Sequence, residues 1–208
     1  VLTSRGLGDV YKRQGIEMVD LISVDKTRIF KEMIFKNTEI DILEKTKNSS
    51  EAISNAVDAG RIVMAADSIG ASKAMLDKAV EYSKERKQFN RVIGSFQAVK
   101  HMCAEMASEL EPCYSLVWHA AHSFDNNEEN RKLMACHAKS HVSDVSKMVS
   151  KKATEVHGGM GFTDLLGLHF WFKRIGVNRH LLGSPEIVRG EAAKIQGLWE
   201  ISKCVISI

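Results

Sequence analysis

From Ser50 onward, apolar residues recur every three or four positions through nearly the rest of the chain, and this period constrains the fold more than any other feature. Ala52, Ile53, Ala56, Val57, Ile62, Val63 and Ala66 open the pattern, and Met75, Leu76, Ala79 and Val80 extend it. Such spacing places one apolar stripe on a helix. Only two prolines occur in 208 residues, so little interrupts the helices. The pattern predicts a first helix from Ser49 or Ser50 to about Arg86. A second follows Gly94-Ser95, with Pro112 as a point of bending. The turn "FDNNEEN" leads into a third helix that stops at Gly158-Gly159, with Glu128 and Glu129 near its start. A short aromatic helix is expected over about Thr163–Arg174, and a last one from Ser184 through Ile201. Long helices joined by short links make an antiparallel four-helix bundle the expected architecture for residues 49–208, in a mainly α fold.

The period is different upstream. Around "TRIFKEMIFKN", Ile29, Met33 and Phe35 share one side with Lys31, while Phe30 and Ile34 share the other with Glu32. This alternation suggests one or two strands. A lone hairpin is marginally stable, so residues 15–48 read as the remnant of a β domain whose sheet is mostly absent. Residues 1–14, "VLTSRGLGDVYKRQ", fit neither pattern and read as a non-native or disordered lead.

Composition narrows the function classes. Hydrophobic residues make up 44% and charged residues 26%, and the net charge is +3. That charge is too small to point to nucleic acid or an anionic membrane, and no apolar run nears the ~20 residues of a spanning helix. Cys103, Cys113, Cys136 and Cys204 form no C-x-x-C pair, which suits reduced thiols and a cytoplasmic protein. His137 and His141, and His119 and His122, are spaced for one helix face each. They lack an H-E-x-x-H or E-x-x-H partner, so no metal site is expected.

Three stretches carry candidate chemistry. In "ERKQFNRVIGSFQ", Arg86 suits a phosphate, Phe89 an aromatic ring and Gln97 an amide or purine edge. From spacing alone, a solvated helix end with a core phenylalanine is the simpler reading. In "EVHGGMGF", Gly158 and Gly159 allow close backbone approach, or simply a sharp turn. In "HLLGSPEIVRG", Glu186 beside Ser184 and Pro185 is either a catalytic base or, more simply, helix-start chemistry.

Taken in order, these stretches resemble the C-terminal half of an acyl-CoA dehydrogenase, from roughly Val24 to Leu198. The resemblance implies FAD as cofactor, α,β-dehydrogenation of an acyl-CoA thioester, an electron-transfer flavoprotein as acceptor, and a homo- or hetero-oligomer. It also implies that the chain is part of a longer protein. It assigns Arg86, Phe89 and Gln97 to FAD across a subunit interface, and Gly158 and Gly159 to the pyrophosphate. Glu155 stands where relatives often carry glutamine, Ser184 and Glu186 approach FAD, and Arg61 lies near the acyl-CoA. The family's base belongs two residues before Ser184 or just before Arg61. Those positions are Leu182 and Gly60, neither of which takes a proton. Asp58 and Glu186 remain as weak candidates, Asp58 reading most simply as a solvated helix residue. A base-less, FAD-sharing subunit of a mixed oligomer is the alternative.

Overall fold

The structure is a computed structural model that describes residues 15–38 and 49–198. The expectations for residues 1–14, Ile201 and Cys204 lie outside the described residues. The chain divides between Ser49 and Ser50 into two units.

The first unit is an antiparallel hairpin of β1 (Ile16–Leu21) and β2 (Phe30–Phe35), with Ile16 opposite Phe35 and Leu21 opposite Phe30. Its loop is closed by Asp25, which is buried. The Asp25 carboxylate accepts from the Thr27 N–H and hydroxyl and from Arg28 Nε. Met18, Val19, Leu21, Met33 and Phe35 are all exposed.

The second unit is a helical bundle. Its long helices are α1 (Ser49–Glu85), α2 (Gln97–Asp125) and α3 (Arg131–His157). Two shorter helices follow, α4 (Leu168–His180) and α5 (Pro185–Ile195). A small hairpin, β3 (Lys87–Gln88) with β4 (Arg91–Val92), links α1 to α2. The core takes Ile62, Ile69, Met75 and Ala79 from α1, and Met106, Leu110 and Cys113 from α2. From α3 it takes Ala135, Ala138, Val142, Val149 and Ala153, and from α4 Leu168 and Ile175. The buried face of α3 is dominated by alanine, serine and valine, side chains small enough for neighbouring helices to approach closely. Cys113 and Cys136 are buried and Cys103 is half-buried; all three are free thiols. Among the described residues, no helix is long and apolar enough to cross a membrane.

Two helix boundaries differ from the sequence reading. The aromatic helix begins at Leu168, after Gly167 in a left-handed conformation, and continues past Arg174 to His180. Its polar second half follows no apolar period, because polar side chains on neighbouring helices hold it. Arg174 and Asn178 both donate to Asp67 on α1. The last helix stops at Ile195, short of the expected Ile201. There Gly197 turns left-handed, the Leu198 N–H reaches Ala193 O and the Gly197 N–H reaches Lys194 O, a Schellman ending.

Pro112 lies inside α2, on its exposed side, and the helix continues through it. A proline there lacks the N–H that would bond the carbonyl of Ser108, and interior proline costs ~3 kcal/mol relative to alanine. Pro112→Ala is expected to stabilise the bundle by about 1–3 kcal/mol, read as a higher urea midpoint. A lower midpoint would mean that α2 depends on the bend.

Candidate functional site

The candidate residues gather at two separate places on α1. The first is the C-terminal end of that helix. Tyr82 stacks on His157, the last residue of α3, with ring centroids 4.6 Å apart. Arg86 follows Tyr82 by one turn and Gly158 follows His157, so the hairpin and the glycine turn lie at the same end of the bundle. Gly158 has φ 59° and ψ −141°, a backbone state essentially reserved for glycine, and its N–H donates to Glu155 O. A Cβ built on Gly158 or Gly159 would meet no heavy atom within 4 Å. Their backbone therefore faces open space. The Glu155 side chain is exposed and shares a shallow groove with Lys151 and Lys152.

The hairpin turns through Phe89 and Asn90, at φ 51° and 59°. Two positive φ values make this a type I′ loop, normally the province of Asn and Gly. A phenylalanine is costly in that conformation. Phe89 recovers little by burial, since its side chain is 86% exposed. The expected core phenylalanine is thus corrected: this ring is presented to solvent, edge-on to Phe96 at 6.1 Å, while Arg91 lies over Phe96 at 3.8 Å. Arg86 is exposed beside it, as is Gln97 in the first turn of α2. A cation with a planar fork, an uncovered aromatic ring, a primary amide and bare glycine backbone fit a dinucleotide such as FAD.

The second place is the turn between α4 and α5, Leu181–Ser184, which packs on the N-terminal half of α1. Arg61 lies beneath it, 4% exposed. Arg61 Nε donates to Leu182 O at 2.9 Å. Its two terminal nitrogens grip the Glu191 carboxylate at 2.7 and 2.9 Å, and Asp58 accepts at 3.3 Å. The hydrogen bonds from Arg61, first of all, hold the Glu191 carboxyl below its usual range. Burial pushes the Asp58 carboxyl upward, against the opposing pull of Arg61 and Lys132. Asp58 was expected to be solvated, yet it is 3% exposed, because the arginine beside it makes a buried carboxylate tolerable. Arg61, expected close to the acyl-CoA, clamps the turn, with its bonded donors on Leu182 O, Asp58 and Glu191.

Gly60 and Leu182 touch. A Cβ on Gly60 would come within 2.5 Å of Leu182 Cδ1, so the leucine occupies the space a side chain at residue 60 would need. Leu182 itself sits at φ 59°. Glu186 is exposed. Its own N–H, the Ser184 hydroxyl and Arg179 hold its carboxyl below the usual range, which makes it a weak proton acceptor. Ser184 occupies the N-cap with extended backbone, and its hydroxyl caps no helix N–H.

The sequence reading missed Lys139 and His157. Lys139 is fully buried on α3, and His157 is buried with Nδ1 2.7 Å from Ala153 O. The signal was available for Lys139: it lies four residues after Ala135 and three before Val142, on the apolar stripe. His137 is half-buried and His141 is exposed; they line a shallow cleft with Arg189, whose charge opposes a metal cation. Among the described residues, no group of three or more His, Cys, Asp or Glu could hold a metal ion.

Comparison with known proteins settles the lineage. Residues 50–196 match the model of the acyl-CoA dehydrogenase C-terminal domain. The chain belongs to the acyl-CoA dehydrogenase family. A subunit of the caffeyl-CoA reductase–Etf complex from Acetobacterium woodii is 36% identical over 157 residues, covering 73% of this chain and 41% of that protein. A probable acyl-CoA dehydrogenase from Bacillus subtilis is 35% identical over 151 residues, covering 73% and 36%. The structure of glutaryl-coenzyme A dehydrogenase with glutaryl-CoA superimposes with a TM-score of 0.82 at 25% identity, covering 88% of this chain and 47% of that one. This acyl-CoA dehydrogenase chain thus spans between a third and a half of the length of these relatives.

Proposed function

We propose that the full-length protein dehydrogenates an acyl-CoA thioester between its α and β carbons with FAD, and passes the electrons to an electron-transfer flavoprotein. The exposed, left-handed Phe89 carries the flavin reading. A largely exposed ring carried on left-handed backbone is understandable as a ligand surface, and Arg86, Gln97, Gly158 and Gly159 lie at the same end of the bundle. Family membership supports the reaction, and the Etf complex named for the Acetobacterium relative supports the acceptor.

FAD, when bound, accepts the hydride from the β carbon. Arg86 pairs with a phosphate of the dinucleotide, Phe89 covers an aromatic ring, and Gln97 reads an amide or purine edge. Glu155 stands beside the pyrophosphate turn of Gly158 and Gly159. At the other place, Ser184 and Glu186 approach a flavin, with Arg61 and Asp58 fixing the turn from below. The two places, at Arg61 and at the end of α1, are about 36 Å apart along the helix at ~1.5 Å per residue. One chain therefore contributes to two flavin sites, each completed by a second subunit, which makes the protein a homo- or hetero-oligomer. The α proton is taken by a group outside Gly60 and Leu182. Asp58 is closed off by Arg61, and Glu186 is held as a weak base.

A second reading has its own support. The apolar Gly60–Leu182 contact occupies both family base positions, as expected of a base-less subunit that shares FAD with a glutamate-bearing partner. Anaerobic addition of acyl-CoA thioesters to the full-length protein separates the two. Bleaching of the oxidised flavin supports the active enzyme. Bound flavin that no thioester bleaches supports the partner subunit, and failure to bind FAD sinks both.

Arg86→Ala is expected to weaken FAD binding by about 10–100-fold, the loss of one charge-assisted hydrogen bond. Flavin titration of the full-length variant measures this, and unchanged affinity would remove Arg86 from the site.

A further inference from the structure

Lys139 is the largest of the fully buried side chains, and it answers a specific need of the backbone. The last carbonyls of a helix have no partner within it. In α4 these belong to Asn178, Arg179 and His180. Lys139 Nζ donates to Asn178 O, and to Arg179 O at 3.4 Å. The Gly183 N–H takes His180 O at 3.3 Å, and Arg61 Nε takes the next carbonyl used, Leu182 O. Two buried cations from different helices thus hold the backbone on both sides of Leu181. A cation at this end also complements the helix dipole.

Burial works against a charged lysine here. Burial, followed by repulsion from Arg61 and Arg179, pulls its pKa down to about 8, so the site disfavours the charge. An apolar chain of similar length would avoid that desolvation cost but leave Asn178 O and Arg179 O without their donor. What the ammonium adds is direction: its donors fix where α4 ends and where the next four residues begin.

We infer that Lys139 is a positioning residue that sets the backbone of the Leu181–Ser184 turn, and through it the placement of Leu182 and Ser184 against the flavin and thioester. The functional half of this statement rests on the flavin reading above; the structural half does not.

The test uses the full-length protein with Lys139→Met and Lys139→Gln, the second keeping a neutral donor and carrying the test where the first does not fold. Hydrogen exchange is followed at the Leu181 and Gly183 amides, together with the melting temperature and FAD affinity. In Lys139→Met turn exchange is expected to quicken about tenfold while exchange within α3 stays unchanged. Lys139→Gln is expected to fall between. Unchanged turn exchange in both variants overturns the inference. So does a lower melting temperature with faster exchange throughout α3, which marks an ordinary structural role. A loosened turn with weaker FAD binding supports both halves. A loosened turn with unchanged FAD affinity keeps Lys139 as the residue that positions the turn and overturns the placement of Ser184 and Glu186 at the flavin.

Discussion

Arg61→Ala is expected to destabilise the helical unit by about 3–5 kcal/mol, the cost of removing one partner from a buried ion pair. The loss has three sources. Asp58, 3% exposed, is left as a buried carboxylate without its cation. Leu182 O loses its donor, and the Glu191 carboxylate loses both of its bonds. Glu191 is 35% exposed and water compensates it, so Asp58 dominates. Urea unfolding at neutral pH measures the effect. A loss below about 1 kcal/mol, the level of a surface pair, would show that the cluster is solvated in solution. The pH dependence has a definite sign. The Glu191 carboxyl is depressed in the folded protein, so its contribution is present above its unfolded pKa and is lost as pH falls through the folded one. The difference between parent and Arg61→Ala is expected to shrink on acidification.

Leu182→Glu carries the second large effect. In the full-length protein this substitution adds a carboxylate at the position where the family resemblance assigns the base. General-base catalysis contributes ~10²–10⁴-fold, so under the base-less reading thioester-driven bleaching of the flavin is expected to rise within that range. The leucine already occupies the left-handed backbone at φ 59°, so glutamate meets no new strain there. Glutamate at Gly60 alone is a poorer route, because its Cβ would collide with Leu182 Cδ1. Where the parent protein already bleaches, an unchanged rate in Leu182→Glu would mean that a base acts from elsewhere in the assembly. It would also remove the base-less reading.

Much of the bundle was legible because helices announce themselves locally. The 3.6-residue period marked α1, α2 and α3 to within a residue or two, and Gly158 marked the end of α3. The period failed at α4, where Arg174 and Asn178 are held by Asp67 on a different helix and no apolar stripe is needed. The type I′ loop at Phe89–Asn90 was missed because phenylalanine is an unusual residue for it. Family resemblance assigned base positions to Leu182 and Gly60, but it could not show that the two lie in contact, 122 residues apart in sequence.

By itself, the sequence determined the helical class, the long helices and the family. These depend on short-range periodicity and on motifs whose residues are neighbours along the chain. The tertiary structure decided what the charged residues do. Asp58 read as a solvated helix position, Arg61 as a cation near the acyl-CoA, and Lys139 was not singled out, until packing buried all three. Burial changes the physics of a charge, because desolvation must be offset by partners at short range. Those partners are Glu191 for Arg61, Arg61 for Asp58, and the end of α4 for Lys139. They come from distant segments, and only the folded chain brings them within hydrogen-bonding distance.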